Sequence, residues 1–255
     1  MQLSVVDLAK LSVTTVLLSY SSWSDYRRRE VEDWVWAVFL VAAVCLDAGQ
    51  VMDPNADLVG LCASVVLQGL VFVGLYWLGI FGGADAKSLI CLSVMFPTLP
   101  LGVPMLAGPD IALVLPLSTF VNAVLLSLSY VVLNLAQNVR LIAKERNWTK
   151  GGDDVSPLKR VAGFVVLRRM KLSEFIRSKH AFQFAAFRLQ DAHLSSIIQG
   201  TGQLPTREEY PLDNDAYVYV QPLIPLQVFV LAGFIASLLV GTIPFYALSA
   251  FPMSN

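Results

Sequence analysis

Two aspartates stand where long apolar segments of the sequence end. Asp25 follows the apolar segment 4–23, and Asp85 follows the segment 58–80. Two carboxylates that lie a few ångströms apart and partly out of water cannot both ionise easily, so they tend to share one proton. The ionised member can take a proton from water, and the protonated member can assist the carbonyl oxygen under attack. The pair predicts hydrolysis that requires neither a metal nor a covalent intermediate, with no fixed role for either residue because the two titrate as a unit.

Three residues near Asp85 are candidates to support this chemistry. Gly82 and Gly83 are expected to adopt backbone shapes that other residues resist and to let an extended substrate backbone approach closely. Lys87 is expected either to extend to the lipid interface or to help position Asp85.

Each aspartate also has a purely structural interpretation. Asp85 can cap the N-terminus of a helix that begins at Ala86, after a glycine turn. Asp25 can form an ion pair with Arg28 or Arg29 at helical spacing. The catalytic interpretation therefore depends on the two carboxylates lying together, which neither residue indicates alone.

The composition indicates an integral membrane protein. Of the 255 residues, 56% are hydrophobic and 15% are charged, and the mean hydropathy is +0.63; soluble domains have about a quarter of their residues charged. A helix needs about 20 apolar residues to cross a bilayer core. We predict an all-α membrane bundle with six spans, at 4–23, 34–51, 58–80, 87–104, 111–141 and 223–248. Three prolines in the fourth favour a re-entrant or tilted element; they are Pro97, Pro100 and Pro104.

The distribution of basic residues orients these spans. Residues 27–29 are three arginines after the first span, Lys87 follows the third, and most of the 18 Lys and Arg residues lie between 140 and 207. The loops after spans two and four contain aspartates but no Lys or Arg. The positive-inside rule then places both termini outside and the loops after spans one, three and five in the cytoplasm. Asp25 and Asp85 would therefore share the cytoplasmic face.

The composition changes after the fifth span. We predict a membrane part at 1–141, a small α+β cytoplasmic domain at 142–221 inserted between spans five and six, and a last span with the C-terminus at 222–255. Within the cytoplasmic domain, residues 161–175 favour a short strand pair with an exposed basic face. Asp47, near the outer end of span two, is expected to be solvated.

Several classes of site are not indicated. The net charge of −1 gives no strong basic field for nucleic acid. The three cysteines are scattered in apolar segments without a CxxC pair, so neither a metal site nor a disulfide framework is predicted, and no cofactor is implied. The cysteines are Cys45, Cys62 and Cys91.

Three stretches resemble one family of membrane proteases. "SDYRRREVEDW" resembles the motif after the first helix of type IV prepilin peptidases, and "FGGADAK" resembles the GxGD motif of these intramembrane aspartic proteases. "YVQPLIPLQVF" is similar to the segment that leads into their last span. The resemblance implies that Asp25 and Asp85 are the catalytic pair. Ala84 departs from the motif where its second glycine is expected, and alanine resists positive φ.

The resemblance also implies a substrate. The archaeal preflagellin and prepilin peptidases share this arrangement, and the chain lacks the zinc-binding CxxC segment that the bacterial enzymes often add, which favours the archaeal, peptidase-only type. We expect an aspartic endopeptidase of the cell membrane that removes short basic leaders from archaellin or type IV pilin-like precursors with class III signal peptides, beside membrane lipids. Four acidic residues either attract the leader or form a solvated loop: Glu208, Glu209, Asp213 and Asp215.

Two other classes of function stay open at this point. Membrane-embedded acids often mark ion or proton paths, so the chain could be a transporter or channel. Against this, both candidate aspartates lie at one face, where they could not relay charge across the bilayer. The third class is a membrane-anchored scaffold whose function lies in the cytoplasmic domain.

Overall fold

A computed structural model of the chain describes residues 4–52, 57–97, 115–145, 157–178, 181–186 and 217–244. These residues form eight helices and a three-stranded sheet. The elements are α1 Val5–Arg28, α2 Asp33–Val51, α3 Leu58–Trp77, α4 Gly83–Met95, α5 Leu115–Glu145, α6 Pro157–Val166, β1 Arg168–Lys171, α7 Leu172–Arg177, β2 Phe182–Ala186, β3 Tyr217–Pro222 and α8 Leu226–Val240.

The chain divides into two compact units. One contains Met1–Leu126 with Pro225–Asn255, and the other contains Ser127–Ile224. The first unit holds α1 to α4, the beginning of α5, and α8. Its apolar core is formed by fully buried side chains from these helices, which include Leu18, Phe39, Phe72, Leu89, Leu92 and Phe234.

Helix α1 has defined signals at both ends. Ser4 Oγ accepts a hydrogen bond from Asp7 N–H at 3.0 Å, while Asp7 Oδ2 accepts from Ser4 N–H at 3.3 Å, so each satisfies an otherwise free donor of the first turn. At the other end Arg29 has φ 60° and donates its N–H to the Asp25 carbonyl at 2.9 Å. The helix thus extends five residues past the predicted membrane span 4–23, and Asp25 lies in its last turn.

Among the residues that the structure describes, two helices are long and apolar enough to cross a membrane, by length and composition alone. These are Leu58–Trp77 and the segment Leu115–Leu141 of α5, whereas Leu226–Val240 is apolar but shorter. Helix α4 has 13 residues and begins at Gly83, earlier than the predicted span at residue 87. At 1.5 Å per residue a helix of this length reaches about 20 Å, less than the ~30 Å bilayer core. The described part of the chain is thus mostly helical, with two helices that could cross a membrane and a small sheet.

An ion pair joins α1 and α2. Lys10 Nζ contacts Asp47 Oδ1, and the two side chains are only 7% and 15% exposed. The prediction that Asp47 is solvated was wrong, because the sequence did not show that Lys10 comes within reach of it. Buried charges are retained in proteins when a partner of opposite charge compensates them.

Helices α5 and α8 approach each other closely within the first unit. A Cβ atom at Gly233 would lie 2.5 Å from the Thr119 carbonyl oxygen, so only glycine fits there. Nearby, Asn122 Nδ2 donates to Ser237 Oγ at 2.9 Å and to the Gly241 carbonyl at 2.8 Å. Small residues and interhelical hydrogen bonds of this kind are what hold membrane helices together.

The second unit contains an antiparallel sheet in the order β1-β3-β2. Met170 is opposite Val218, and Phe184 is opposite Val220, and these buried side chains pack on Leu172 and Phe175 of α7. The predicted strand pair at 161–175 was wrong: this stretch forms the end of α6, then β1 and α7. Nor is its basic face fully exposed, because the Arg169 guanidinium lies over the Tyr217 ring, with 4.2 Å between Cζ and the ring centroid.

The C-terminus of α6 is capped by a side chain of α5. Asn138 Nδ2 donates to the Phe164 and Leu167 carbonyls at 2.7 Å each, and these carbonyls lie at the helix C-terminus, where no intrahelical donor remains. This explains why a valine-rich stretch, favourable for a strand by propensity, is helical here.

Some predicted features lie outside the described residues. These are the part of the fourth span after residue 97 with Pro100 and Pro104, residues 111–114 of the fifth, residues 245–248 of the sixth, and the four acidic residues Glu208, Glu209, Asp213 and Asp215.

Candidate active site

The two sequence-predicted aspartates share a common neighbour. Asp25 lies in the last turn of α1, Asp85 lies in the first turn of α4, and Gln227 is the second residue of α8. The Gln227 backbone N–H donates to Asp25 Oδ2 at 3.1 Å, and its side-chain Nε2 donates to Asp85 Oδ1 at 2.9 Å. One residue therefore holds both carboxylates, and the first unit brings the predicted pair to one site.

The position of Asp85 follows from how α4 begins. The helix is preceded by Gly82 as its N-cap residue, and Asp85 is the third helical residue. Its Oδ2 accepts a hydrogen bond from the Gly82 N–H at 3.2 Å. An acidic side chain in a first turn is favourable because the N-terminal end of a helix carries partial positive charge. Asp85 is thus not the N-cap of a helix that begins at Ala86, as its structural interpretation expected.

Gly82 and Gly83 do not adopt the unusual backbone shapes that we predicted for them, while the close approach of a substrate backbone stays a prediction. Gly82 has φ −75° and ψ 166°, an extended conformation that other residues also adopt. The positive φ in this turn belongs instead to Gly79, at 70°. Ala84 lies inside α4, so its resistance to positive φ is not tested at this position. The departure from the GxGD pattern at Ala84 therefore causes no backbone strain.

Gln227 is itself fixed by buried hydroxyl groups. Its side chain is fully buried, and Oε1 accepts from Ser21 Oγ at 3.3 Å. Its backbone carbonyl accepts from Ser22 Oγ at 2.8 Å, and Nε2 also donates to Ser88 Oγ at 3.2 Å. Every polar group of this residue has a partner, which gives the amide one orientation.

The environment favours the protonated form of both acids. Both lie outside the predicted spans. Burial raises the pKa of Asp85 to about 7, and the negative charge of Asp25 adds to that rise. The Gln227 and Gly82 hydrogen bonds oppose it, because they stabilise the carboxylate. Burial also raises the pKa of Asp25, against the Gln227 N–H and the positive charge of Arg29. The pair therefore holds a proton at a pH where an exposed aspartate would not.

The nearby basic side chains have other roles than neutralising the pair directly. Lys87 Nζ contacts Asp33 Oδ1 at 2.6 Å on the exposed surface, so the expectation that it positions Asp85 finds no contact in its favour. Arg28 forms its ion pair with Glu32 at 2.9 Å. Arg29 acts on Asp25 through its charge, and the two residues are also joined through the backbone at the end of α1.

This arrangement can support acid–base hydrolysis. It presents two half-buried carboxylates with raised pKa values, which is what a pair needs if one member is to give a proton while the other accepts one from water. Among the described residues, no group of three or more His, Cys, Asp or Glu side chains is placed to hold a metal ion.

Gln227 is the site residue that sequence reasoning missed. It lies within the stretch "YVQPLIPLQVF", whose similarity to a family segment pointed to the entry of the last helix but not to a particular side chain. A glutamine inside the otherwise apolar sequence of α8 was the available signal, since a buried amide requires partners.

Comparison with known proteins finds one family model that is similar to part of this chain. Residues 12–133 match the model of the type IV leader peptidase family, a range that includes Asp25 and Asp85 but ends before Gln227. No curated protein matches the sequence.

Proposed function

We propose that Asp25 and Asp85 are the catalytic pair of a membrane aspartic endopeptidase, because residues 12–133, which contain both, match the model of the type IV leader peptidase family. The family indicates a protease with pilin-like precursors as substrates. The observation that carries the proposal is the pair of hydrogen bonds from Gln227, one to each carboxylate.

In the proposed reaction the two acids divide the work through one shared proton. The ionised carboxylate removes a proton from a water molecule held between them, and the resulting hydroxide attacks the scissile peptide carbonyl. The protonated carboxyl hydrogen-bonds to the carbonyl oxygen and stabilises the tetrahedral intermediate. As the C–N bond breaks, the leaving amine takes up the proton that the other carboxylate removed from water. The high pKa of Asp85 supports the presence of that proton near neutral pH.

We propose that this chemistry occurs at the cytoplasmic membrane face. A six-span topology with both termini outside brings the ends of the first and third spans to that face, in agreement with the arginines at 27–29. The precursor would lie with its apolar helix among lipids beside the spans, and its short basic leader would enter the site. Archaellin and type IV pilin-like precursors with class III signal peptides fit this description.

A cleavage assay tests the proposal. The protein, purified in detergent and returned to lipid vesicles, should convert an archaellin precursor or a pilin-like precursor to a shorter product, which mass spectrometry of both fragments identifies. Asp25→Asn and Asp85→Asn should each abolish the product. The matched control is Asp33→Asn, because Asp33 is an exposed acid, 83% accessible, whose contact is with Lys87.

Two outcomes would contradict this function. One is an Asp25→Asn or Asp85→Asn variant that cleaves as well as Asp33→Asn. The other is a proton or ion flux across the vesicles without any cleavage, which would support a transporter or channel instead.

A further inference from the structure

We propose that Gln227 is a positioning residue for the aspartate pair, and that its side-chain amide sets how tightly Asp85 holds the catalytic proton. The inference rests on the proposed function, in which Asp25 and Asp85 act on water. It adds a residue that lies on α8, outside the segment of the chain that matches the family.

Gln227 binds the aspartate pair through two separate hydrogen bonds, one to each carboxylate. Its backbone N–H binds Asp25 and its side-chain amide binds Asp85, so the distance between the two carboxylates depends on one residue. The three residues come from α1, α4 and α8, and α1 packs against both of the other helices. A catalytic pair needs such a constraint, because a displacement of about 1 Å can cost roughly a hundredfold in rate.

The amide cannot turn around without losing contacts. Its oxygen accepts from Ser21 Oγ and its nitrogen donates to Asp85 and Ser88, so a reversed amide would aim its oxygen at the carboxylate. The side chain is fully buried. A water molecule could replace a lost hydrogen-bond partner of the amide only if there were a cavity to hold it. The hydrogen-bond network therefore favours the orientation in which the N–H group faces Asp85.

A donor fixed in this way stabilises the ionised form of Asp85 and opposes the effect of burial. Other charges around Asp85 are few in the described residues. On α1 the charge that acts on it is Asp25. Helix α8 has no titratable side chain, and α3 offers Tyr76 beside Gly83 and no formal charge. On α2, Asp33 is paired with Lys87 of α4. Gln227 is thus the principal group that counters burial there.

The test is the variant Gln227→Met, which keeps the length of the side chain and the backbone N–H but removes the amide. We expect cleavage to fall on the order of 10- to 100-fold. We also expect the alkaline midpoint of the pH–rate profile to move upward by about one pH unit, because a hydrogen bond to a charged group is worth about that much. A merely structural role would lower the rate by one factor at every pH and leave the midpoint unchanged.

The matched control is Gln68→Met. Gln68 is also almost fully buried, at 2% exposure in the first unit, and its Nε2 donates to Ser64 Oγ rather than to an acid. It should keep the wild-type alkaline midpoint. If Gln227→Met does not fold, Ser21→Ala provides the second variant, since it loosens the amide by removing the donor to its oxygen. Its midpoint should move in the same direction by a smaller amount.

A second measurement separates this inference from the proposed function. Infrared difference spectroscopy can follow titration of the Asp85 carboxyl without substrate, with Asp85→Asn to identify its band. An upward shift in Gln227→Met, but not in Gln68→Met, would uphold the positioning role even for a protein that failed to cleave precursors. The positioning role would be overturned, and the protease proposal left intact, by the following result. The wild type cleaves, while Gln227→Met and Ser21→Ala leave unchanged both the alkaline midpoint of the pH–rate profile and the titration midpoint of the Asp85 infrared band.

Discussion

Helix α1 contributes an ionisable side chain to two separate contacts, one near each end, and the two contacts differ in the charge of the partner. Near its beginning, Lys10 forms an ion pair with Asp47 of α2, so both charges are compensated. Near its end, Asp25 lies beside a second acid, Asp85, and the residue that joins them is the neutral Gln227. The same helix therefore contains a compensated pair and a pair of like charge.

The difference separates a structural role from a chemical one. In a buried pair of opposite charge each member compensates the other, so the contact serves the structure. Two adjacent acids cannot both ionise easily, and this leaves a proton to exchange. Strongly perturbed acids cluster at functional sites for this reason. Comparing variants at the two contacts therefore tests which pair stabilises the fold and which one works on substrate.

The largest expected effect is on cleavage. Asp85→Asn removes one member of the like-charge pair and should lower the rate at least on the order of 10²- to 10⁴-fold, the usual contribution of a general acid or base. Asp47→Asn, the same chemical change at the other contact, should retain the rate per folded molecule. The measurement is cleavage of a pilin-like precursor, normalised to the folded fraction. Equal losses in the two variants would erase the distinction.

The next effect is on stability at the compensated pair. Lys10→Met leaves the Asp47 carboxylate buried without its partner, which should cost about 3–5 kcal/mol of unfolding free energy. The double variant Lys10→Met with Asp47→Leu should recover most of that loss, because apolar side chains replace both charges. Thermal unfolding in detergent measures both. A single variant as stable as the wild type would show that the contact contributes nothing.

At the Asp25–Asp85 pair, removing a charge should stabilise the folded protein rather than destabilise it, and the size of this effect should depend on pH. The pKa of Asp85 is raised from 3.8 to about 7 in the folded protein, so folding becomes less favourable as pH rises through that interval and the buried acid must ionise. Asp85→Asn removes this cost and should stabilise the protein by about 1–3 kcal/mol at pH 8 relative to its effect at pH 4. Unfolding midpoints at the two pH values test it. An effect of Asp85→Asn on stability that is the same at pH 8 and at pH 4 would mean that ionising Asp85 has no cost in the folded protein.

The smallest effect is expected at the exposed ion pair between α2 and α4. Lys87 and Asp33 have side chains that are 49% and 83% exposed, and such pairs contribute about 0–1 kcal/mol. Lys87→Met should therefore change the cleavage rate by less than about twofold. A loss that approached the effect of Asp85→Asn would return Lys87 to the role of positioning Asp85, and kinetics at several substrate concentrations would detect it.

Local sequence was sufficient for features that depend on residue type and spacing. It predicted α2 and α3 within a few residues of their observed bounds, since each is an almost unbroken apolar run. It also selected Asp25 and Asp85 as candidates, and the family match covers both positions. It could not predict α6, which ends where Asn138 of α5 binds its last carbonyls, because that contact joins residues 26 and 29 positions apart.

The sequence by itself determined that this is an apolar helical chain with two acids at the ends of helical segments, because hydropathy and motif spacing are properties of neighbouring residues. Only the tertiary structure decided which acid has a cationic partner and which has an acidic one. Lys10 meets Asp47 across 37 positions, and Gln227 meets Asp25 across 202. Contacts over such distances arise from helix packing, and no local pattern records them.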